Sequence, residues 1–221
     1  MNTQAVEDYL KAVHELEREQ GAVSTTALAD RLGVRPASVS GMMKRLAEMN
    51  LVVHEPYQSV TLTDAGRKIA LEVIRHHRLV EVYLAEALGV PWDQVHGEAE
   101  KWEHVLSEEL EDRMDEMLGH PATDPHGSPI PSREGEMPET ASVRLVDLGI
   151  GSPAVIAEVN DHDADLWRHL GELGLYPNAE VCITDSAPFE GPLTIRVGGE
   201  ERVVGRTVAA NVYVTEVGHP A

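Results

Sequence analysis

A proline-rich stretch at residues 119–141 separates two parts of the chain whose hydrophobic patterns differ. Before it, apolar residues recur every three or four positions, beginning with residues 4–20, which is the spacing of amphipathic helices. After it, short β-branched runs such as Ala154–Val159 and Leu193–Val197 are separated by glycine-containing turns. The predicted fold class is therefore mainly α-helical in the N-terminal part, followed by a small all-β barrel.

The composition excludes several classes of protein. With 42% hydrophobic and 25% charged residues, the chain is expected to be a soluble globular protein. Its one cysteine, Cys182, rules out an intramolecular disulfide and favours a reducing, cytoplasmic setting. No apolar run reaches the roughly 18 residues of a membrane span, and the N-terminus lacks a signal-peptide pattern, so no membrane partner is predicted.

Residues 1–68 carry the pattern of a winged helix-turn-helix unit. A short helix that begins near Ala27 is predicted to stop at Gly33, and Pro36 suits the first turn of the next helix. The alternating run Val60–Thr63 and the apolar residues before it predict a two-stranded wing. This segment has 8 Lys or Arg against 9 Asp or Glu, although the whole chain carries a net charge of −20. Most of the acidity therefore lies outside the part that would approach DNA.

The second helix of this unit presents small and basic side chains that suit DNA. In a helix-turn-helix unit the N-terminal residues of that helix meet base edges in the major groove, where hydroxyls, methyl groups and cationic groups read bases or hold phosphates. A three-helix packing unit without a nucleic-acid role is the alternative. The predicted DNA-binding residues are Arg35, Ala37, Ser38, Ser40 and Lys44 on the helix and Tyr57 at the wing.

Side chains that can bind a metal ion recur along three predicted helices. Clustered carboxylates repel one another unless a cation lies between them. Imidazole and carboxylate donors without a nearby thiolate favour Mn²⁺ or Fe²⁺ over Cu(I) or a structural Zn²⁺ site. The candidates are Asp8 on the first helix, His77 and Glu81 on the fourth, and His96, Glu100, Glu103 and His104 on one face of a long helix predicted over residues 92–118.

Several stretches resemble the diphtheria toxin repressor family, in particular its manganese-responsive branch with an extra C-terminal domain. They are EDYL at 7–10, the helix-turn-helix at 29–46, RHHRLVE at 75–81, VHGEAEKWEH at 95–104 and DPHGSPIP at 124–131. The tail resembles FeoA-type, SH3-like domains at residues 173–177 and 191–199. The resemblance covers nearly the whole chain. It implies a winged helix-turn-helix domain at 1–68, a helical dimerisation and metal-binding domain at 69–118, a linker at 119–141 and a FeoA/SH3-like domain at 142–221.

The resemblance further implies two metal sites and a preference for manganese. Iron-responsive members have Met and Cys where this chain has Asp8 and Glu100. The primary site is carried over onto Asp8, Glu100, Glu103 and His104. The ancillary site is carried over onto His77, Glu81 and His96, with Asp163 as the ligand from the C-terminal domain.

Two positions depart from the family pattern. Lys11 stands where the manganese-responsive binuclear site uses a Glu, so that site is not expected to form in the same way. Leu166 stands where the C-terminal domain is expected to supply an amide, and Leu166 cannot bind a metal. Three polar residues nearby are alternatives, and a solvated acidic loop is another interpretation: the residues are Asp161, His162 and Asp165.

The function predicted from these features is a metal-dependent transcriptional repressor, not an enzyme, that binds a palindromic DNA operator as a homodimer. The expected corepressor is Mn²⁺, with Fe²⁺ as the alternative, and Zn²⁺, Co²⁺ or Cd²⁺ can occupy such sites in vitro. A metalloenzyme is disfavoured because no His-Glu-x-x-His or nucleophile motif is present. A winged-helix regulator that senses a small organic ligand is a further alternative. The candidate dimer interface lies around Leu84, Leu88, Trp102 and Leu106.

Overall fold

A computed structural model describes residues 3–53, 59–138, 141–159 and 163–217. The chain divides into two compact units, and each of them combines separate stretches of sequence. The first unit consists of Met1–His77, Trp102–Ser107 and Pro131–Met137, and the second of Arg78–Lys101, Glu108–Ile130 and Pro138–Ala221. None of the described helices has the length and apolar character that a membrane span requires.

The N-terminal elements of the first unit form a winged helix-turn-helix. Helices α1 (Gln4–Gln20), α2 (Thr25–Leu32) and α3 (Pro36–Glu48) are followed by strands β1 (Val52–Val53) and β2 (Thr61–Leu62). The two strands pair antiparallel, with Val52 opposite Leu62. The helices pack around buried aliphatic side chains at helical spacing, which confirms the predicted fold of this segment: Val6, Leu10, Val13, Leu28, Val39, Met43 and Leu46.

Local residue chemistry determines where α2 begins and ends and where α3 begins. The Ser24 hydroxyl accepts a hydrogen bond from the Ala27 N–H at 3.0 Å and so caps α2. Gly33 ends that helix with φ of 63°, a left-handed conformation that glycine adopts without steric cost. Arg35 is extended and Pro36 occupies the first turn of α3, where its missing N–H leaves no hydrogen bond unmade.

The long helix predicted over residues 92–118 is wrong, because the structure has two helices there. Helix α4 (Asp64–Leu88) is followed by α5 (Val95–Trp102) and α6 (Glu108–Met117), with a turn between α5 and α6. The turn tightens where the Val105 N–H donates to the Trp102 carbonyl at 3.0 Å. The carbonyl of Glu103 accepts from His76 Nδ1 at 3.1 Å instead of continuing a helical ladder. Helix α5 therefore ends at Trp102, so Glu103 and His104 do not lie on the same helix as His96 and Glu100.

Part of the stretch predicted as a linker is buried in the second unit rather than solvated. Residues 124 and 126–130 are all buried, and the Ile130 side chain packs with Leu79 and Val82 of α4. Gly127 has φ of +87°, and a Cβ there would lie 2.0 Å from the Ala157 carbonyl oxygen, so only glycine allows this approach. The proline-rich composition predicted a solvated spacer, but the polar groups of these residues form hydrogen bonds within the protein.

The C-terminal part of the second unit is a six-stranded antiparallel sheet with one main helix, as predicted for an SH3-like domain. Its strands are β3 (Val143–Arg144), β4 (Pro153–Val159), β5 (Glu180–Ser186), β6 (Leu193–Val197), β7 (Glu200–Val204) and β8 (Val212–Glu216), in the order β3-β8-β4-β5-β6-β7. Helix α7 (Ala164–Leu173) and the short α8 (Arg206–Ala209) accompany the sheet. Helix α7 contributes buried Trp167 and Leu170 to the same core as Ile156 and Ile183.

Candidate metal centre and nucleic-acid interface

The first cluster of metal-binding side chains joins α1 to the turn after α5 within the first unit. Asp8, Glu103 and His104 offer ligand atoms that all lie within 4.8 Å of one another. His104 Nε2 is 2.7 Å from Asp8 Oδ1 and 3.2 Å from Glu103 Oε1. Two carboxylate oxygens and an imidazole nitrogen therefore converge on one point, where a proton or a cation must balance their charge.

Glu7 fixes the orientation of the His104 ring. His104 Nδ1–H donates to Glu7 Oε2 at 2.7 Å, which leaves Nε2 facing Asp8 and Glu103. A histidine that binds metal through one nitrogen commonly donates its other N–H to a carboxylate. Glu7 was not among the predicted ligands, and its only sequence signal is its place directly before Asp8.

Lys11 and His77 hold the buried carboxylate of Glu103. Lys11 Nζ donates to Glu103 Oε2 at 2.7 Å, and His77 Nδ1 contacts the same oxygen. Burial raises the pKa of Glu103, but the hydrogen bond from His77 and the charge of Lys11 outweigh burial, so the net pKa is lowered. For Asp8, burial is the largest effect and raises the pKa against the opposing charge of His104. Glu103 is thus held ionised, ready to accept a cation.

Glu100 is not part of this first cluster. Its carboxylate lies 3.5 Å from His96 Nε2, one turn earlier on α5, and its side chain is largely exposed. His96 Nδ1 lies 3.1 Å from Glu81 Oε1, so both ring nitrogens of His96 face carboxylates. His77 lies one turn before Glu81 on α4, so the predicted set of His77, Glu81 and His96 stays a candidate group of ligands. His77 Nδ1 also contacts Glu103.

A second cluster, Glu81, Asp124 and His126, lies in the second unit and was not predicted. Its three side chains are buried and offer ligand atoms within 4.8 Å of one another. Asp124 and His126 belong to the proline-rich stretch, which composition alone marked as a solvated linker. The only sequence signal was the motif DPH, which lies within the stretch that resembles the repressor family.

A tight turn presents Asp124 to this cluster. Asp124 Oδ1 accepts hydrogen bonds from the N–H groups of His126 at 2.8 Å and Ser128 at 3.0 Å, and Oδ2 lies 3.5 Å from Arg78 Nε. Burial and the nearby charge of Glu81 nevertheless raise the pKa of Asp124 to about 6. The carboxyl groups of Asp124 and Glu81 are therefore close enough to repel each other when both are ionised, and the nearby positive charge of Arg78 does not offset this repulsion and the burial.

The His126 ring is oriented on both edges. Nε2–H donates to the Trp92 carbonyl at 2.8 Å, and Nδ1 lies 3.6 Å from Glu81 Oε2. Burial lowers the pKa of His126, but the hydrogen bond and charge of Glu81, together with Asp124, raise it further, so the net pKa is above its usual value. Nδ1 is the atom that can bind a cation beside Glu81 and Asp124.

The structure does not bring Asp163 into either cluster of the described residues. Asp163 caps α7, where its Oδ1 accepts from the Asp165 N–H at 2.8 Å, and it is exposed. Leu166 is partly buried against the C-terminal core. Asp161 and His162, two of the alternatives considered, lie outside the described residues. The helix-capping role explains why an aspartate stands at position 163.

The predicted DNA-binding side chains lie at and after the start of α3. Arg35, Ala37, Ser38, Ser40 and Lys44 are all exposed, while the intervening Val39 and Met43 face the core. The Ser40 hydroxyl donates to the Pro36 carbonyl at 3.1 Å, so in this state it is engaged within its own helix. Tyr57 lies outside the described residues. The exposed face of α3 has the shape and chemistry of a recognition helix.

The four residues of the expected dimer interface differ in exposure. Leu88 and Trp102 are exposed, Leu106 is partly exposed, and Leu84 is buried within the second unit. Two further apolar side chains of α6 are also exposed, Leu110 and Met117. Exposed apolar side chains of this size are candidates for a protein interface.

Both clusters fit a divalent cation by the chemistry of their donors. Each offers two carboxylates and one imidazole whose second nitrogen is fixed by a hydrogen bond, which is the usual arrangement around a bound ion. The donor atoms are oxygen and nitrogen, and the chain's one cysteine, on β5, belongs to neither cluster. Hard donors of this kind suit Mn²⁺ and Fe²⁺.

Three protein families match successive parts of the chain. Residues 1–60 match the family described as iron dependent repressor, N-terminal DNA binding domain. Residues 63–132 match iron dependent repressor, metal binding and dimerisation domain, and residues 143–216 match the FeoA domain.

Curated relatives and solved structures agree with these matches. Iron-dependent repressor IdeR of Mycobacterium bovis is 36% identical over 209 residues, which cover 89% of this chain and 90% of that protein. Diphtheria toxin repressor of Corynebacterium diphtheriae is 30% identical over 221 residues, 96% of each protein. A structure described as a manganese-dependent transcriptional repressor in complex with manganese has a TM-score of 0.91 at 35% identity and covers 96% of this chain and 100% of that chain.

Proposed function

The chain belongs to the DtxR/IdeR family of iron- and manganese-dependent transcriptional repressors, and from that premise we propose that Mn²⁺ is the ion that controls its binding to DNA. Members of this family are repressors and not enzymes. The chain carries a DNA-binding domain, a metal-binding and dimerisation domain and a FeoA domain in that order. The ion, the ligands and the mode of control are the proposal.

The observation that carries the proposal is the contact between His104 and Asp8. Asp8 lies on α1, which packs against α2 of the helix-turn-helix, and His104 lies in the turn after α5. When bound, a divalent ion supplies the positive charge that holds Asp8, Glu103 and His104 together. Glu7 orients His104, and Lys11 with His77 fixes Glu103, so these two ligands are positioned before the ion arrives. Metal then favours the state in which α1, and with it the recognition helix, is ordered for DNA.

We assign the second site to Glu81, Asp124 and His126, with His96 beside them. Glu81 contacts both imidazoles, at 3.1 Å from His96 Nδ1 and 3.6 Å from His126 Nδ1. A bound cation would relieve the repulsion that raises the pKa of Asp124. This assignment replaces Asp163 by Asp124 and His126. His77 remains a further candidate ligand beside Glu81 and His96, and it also contacts Glu103.

Manganese is favoured by the donor set rather than by the relatives. Each cluster has carboxylate and imidazole donors without a thiolate or thioether, and Asp8 stands where iron-responsive members carry a Met. One relative is named for iron and one solved structure for manganese, so similarity alone supports both ions. Iron-responsive repression is therefore the alternative that the experiment must separate.

Dimerisation gives two copies of α3, and we infer that they read a palindromic operator. The dimerisation family match covers residues 63–132, which include exposed Leu88, Leu110 and Met117. In a two-fold dimer the recognition helices engage half-sites about one helical turn of DNA apart. Arg35 and Lys44 can contact phosphate or guanine, while Ala37 and Ser38 approach base edges.

The test is a DNA-binding titration with each metal in parallel. Duplexes would be selected from a random library with the full chain in Mn²⁺, and affinity would then be measured by fluorescence anisotropy in Mn²⁺, anaerobic Fe²⁺, Zn²⁺ and EDTA. We expect tight binding in Mn²⁺ and binding in EDTA weaker by about 100-fold, which corresponds to a coupling of about 3 kcal/mol. Equal affinities in Mn²⁺ and EDTA would overturn metal control, and tighter binding in Fe²⁺ at matched free ion would overturn manganese as the corepressor.

A further inference from the structure

Trp167 lies in the second unit between two imidazoles of the proposed second site. It belongs to α7 of the C-terminal sheet domain and is 2% exposed. Its ring stacks on His126, with centroids 3.9 Å apart and planes 15° from parallel. The same ring meets His96 edge-on, with centroids 5.4 Å apart and planes at 73°. One residue of the C-terminal domain therefore touches two side chains that flank Glu81.

The stack completes the positioning of His126. The hydrogen bond from Nε2 to the Trp92 carbonyl fixes the rotation of the ring within its plane. The Trp167 face fixes the plane itself, and the Trp92 ring, 5.6 Å away at 35°, lies against the same imidazole. Together these contacts aim Nδ1 at Glu81, at 3.6 Å. Neither contact alone determines where that nitrogen points.

The Trp167 indole is held by its face and not by its N–H. Among the described residues, no hydrogen-bond partner reaches its buried Nε1. A buried tryptophan N–H usually finds an acceptor, so an unpaired one indicates that the contact made by the ring face determines the position. The ring face is where His126 stacks.

Trp167 supplies what Asp163 and Leu166 do not. Asp163 caps its own helix and Leu166 is apolar, so neither joins the second cluster. An imidazole that binds a cation through Nδ1 gains partial positive charge, and an electron-rich indole face attracts such a ring. The Trp167–His126 stack is thus stronger when a cation is bound, so binding of the cation also stabilises the position of α7 in the C-terminal domain.

We propose that Trp167 is a positioning residue through which the C-terminal domain supports the Glu81, Asp124 and His126 site, by stacking on His126 in place of a ligand. The proposal rests on the proposed function, because it requires that the second cluster bind a cation. The C-terminal domain thus contacts the metal site through an aromatic ring. Because Trp167 lies against that site, its fluorescence emission should report whether the site is occupied.

The first experiment uses Trp167 as the only tryptophan of the full chain, in a Trp92→Phe/Trp102→Phe background whose Mn²⁺ stoichiometry is measured by equilibrium dialysis. Mn²⁺ is paramagnetic and quenches nearby fluorophores. We expect emission to fall by at least half as the second site fills, and we expect Asp124→Asn to abolish that fall. Unchanged emission when dialysis shows both sites filled would overturn the proposal while leaving the proposed function intact.

The second experiment compares Trp167→Phe, which keeps a stacking ring, with Trp167→Leu, which removes it. We expect Trp167→Leu to weaken Mn²⁺ binding at the second site at least tenfold and Trp167→Phe to weaken it less than threefold, with the first site unchanged in both. In the metal-free proteins, the His126 ring protons should lose their upfield NMR shift only in Trp167→Leu. Wild-type affinity in Trp167→Leu would refute the positioning role. If the wild-type chain binds no stoichiometric Mn²⁺, the proposed function fails, and this inference fails with it.

Discussion

The two metal clusters have the same kinds of donors but are built in opposite ways. In the first cluster the Asp8 side chain is 37% exposed and comes from α1, while Glu103 and His104 come from the turn after α5. In the second cluster Glu81, Asp124 and the His126 ring are all buried. Both clusters join elements that are distant in sequence, but the first has a ligand that solvent reaches, whereas the second is enclosed.

This difference indicates a division of roles. A partly exposed ligand on a helix of the DNA-binding segment can be released when the ion leaves, so the first cluster has the properties of a switch. Buried carboxylates without a compensating cation are costly, so the second cluster favours an ion that stays bound and stabilises its unit.

Removing His104 should abolish the control of DNA binding. His104→Ala takes away the imidazole that meets Asp8 at 2.7 Å, and we expect affinity for DNA in Mn²⁺ to fall about 100-fold, to the value in EDTA. Fluorescence anisotropy measures this loss. His169→Ala removes an exposed imidazole of α7 and should leave affinity unchanged. Mn²⁺-dependent binding by His104→Ala would show that the first cluster is not the switch.

Neutralising Asp124 should change stability in opposite directions with and without metal. Its carboxyl is disfavoured in the ionised form by burial and by Glu81, so Asp124→Asn should stabilise the metal-free protein by on the order of 1–2 kcal/mol at neutral pH. The same change should remove one bound Mn²⁺ and most of the rise in Tm that Mn²⁺ produces.

Differential scanning calorimetry and equilibrium dialysis check both effects of Asp124→Asn. The matched control is Asp165→Asn, whose carboxylate is exposed on α7. If Asp124→Asn retained the full Mn²⁺-induced rise in Tm, the second cluster would not be the stabilising site, and the division of roles would fail.

Acidic pH should weaken the second cluster. The pKa of Asp124 in the folded protein, about 6, lies above its ordinary value of 3.8. The contribution of Asp124 to the stability of the metal-free protein is therefore present at low pH and is lost as pH rises through about 6. Bound metal requires the ionised carboxylate and a deprotonated Nδ1 on His126, whose pKa is also raised. We therefore expect affinity at this site to fall at least tenfold from pH 7.5 to about 5.5. Calorimetric Mn²⁺ titrations of wild type and Asp124→Asn measure it, and a pH-independent wild-type affinity contradicts the assignment.

Much of the fold could be predicted because local patterns determined it. The apolar spacing of residues 4–20 and the Ser24 and Gly33 caps reproduce α1 and α2 to within two residues. The error over residues 92–118 arose because a tertiary hydrogen bond, from His76 to the Glu103 carbonyl, interrupts a sequence that favours a helix. Hydrophobic periodicity contains no information about such a bond.

The candidate site was predictable only where its residues were close in sequence or matched a family motif. Asp8, Glu103 and His104 were identified together, and the structure brings them together. Glu100 shared their predicted helical face, but the chain turns after Trp102 and the Glu100 carboxylate lies beside His96. The roles of Asp124 and His126 depend on a buried turn in a proline-rich stretch, where composition predicts solvent exposure.

The smallest expected effect on Mn²⁺ binding comes from Lys11, whose ammonium group contacts the first cluster. Its Nζ lies 2.7 Å from Glu103 Oε2 and competes with any cation for that carboxylate. Lys11→Gln removes a charge whose repulsion of a nearby ion is worth on the order of 1 kcal/mol, so Mn²⁺ should bind the first cluster about fivefold more tightly, with the second cluster unchanged. Lys101→Gln, at an exposed pair on α5, is the control, and isothermal titration calorimetry measures both. Weaker Mn²⁺ binding in Lys11→Gln would contradict this prediction, because it would mean that positioning of Glu103 by Lys11 outweighs the repulsion between Lys11 and the ion.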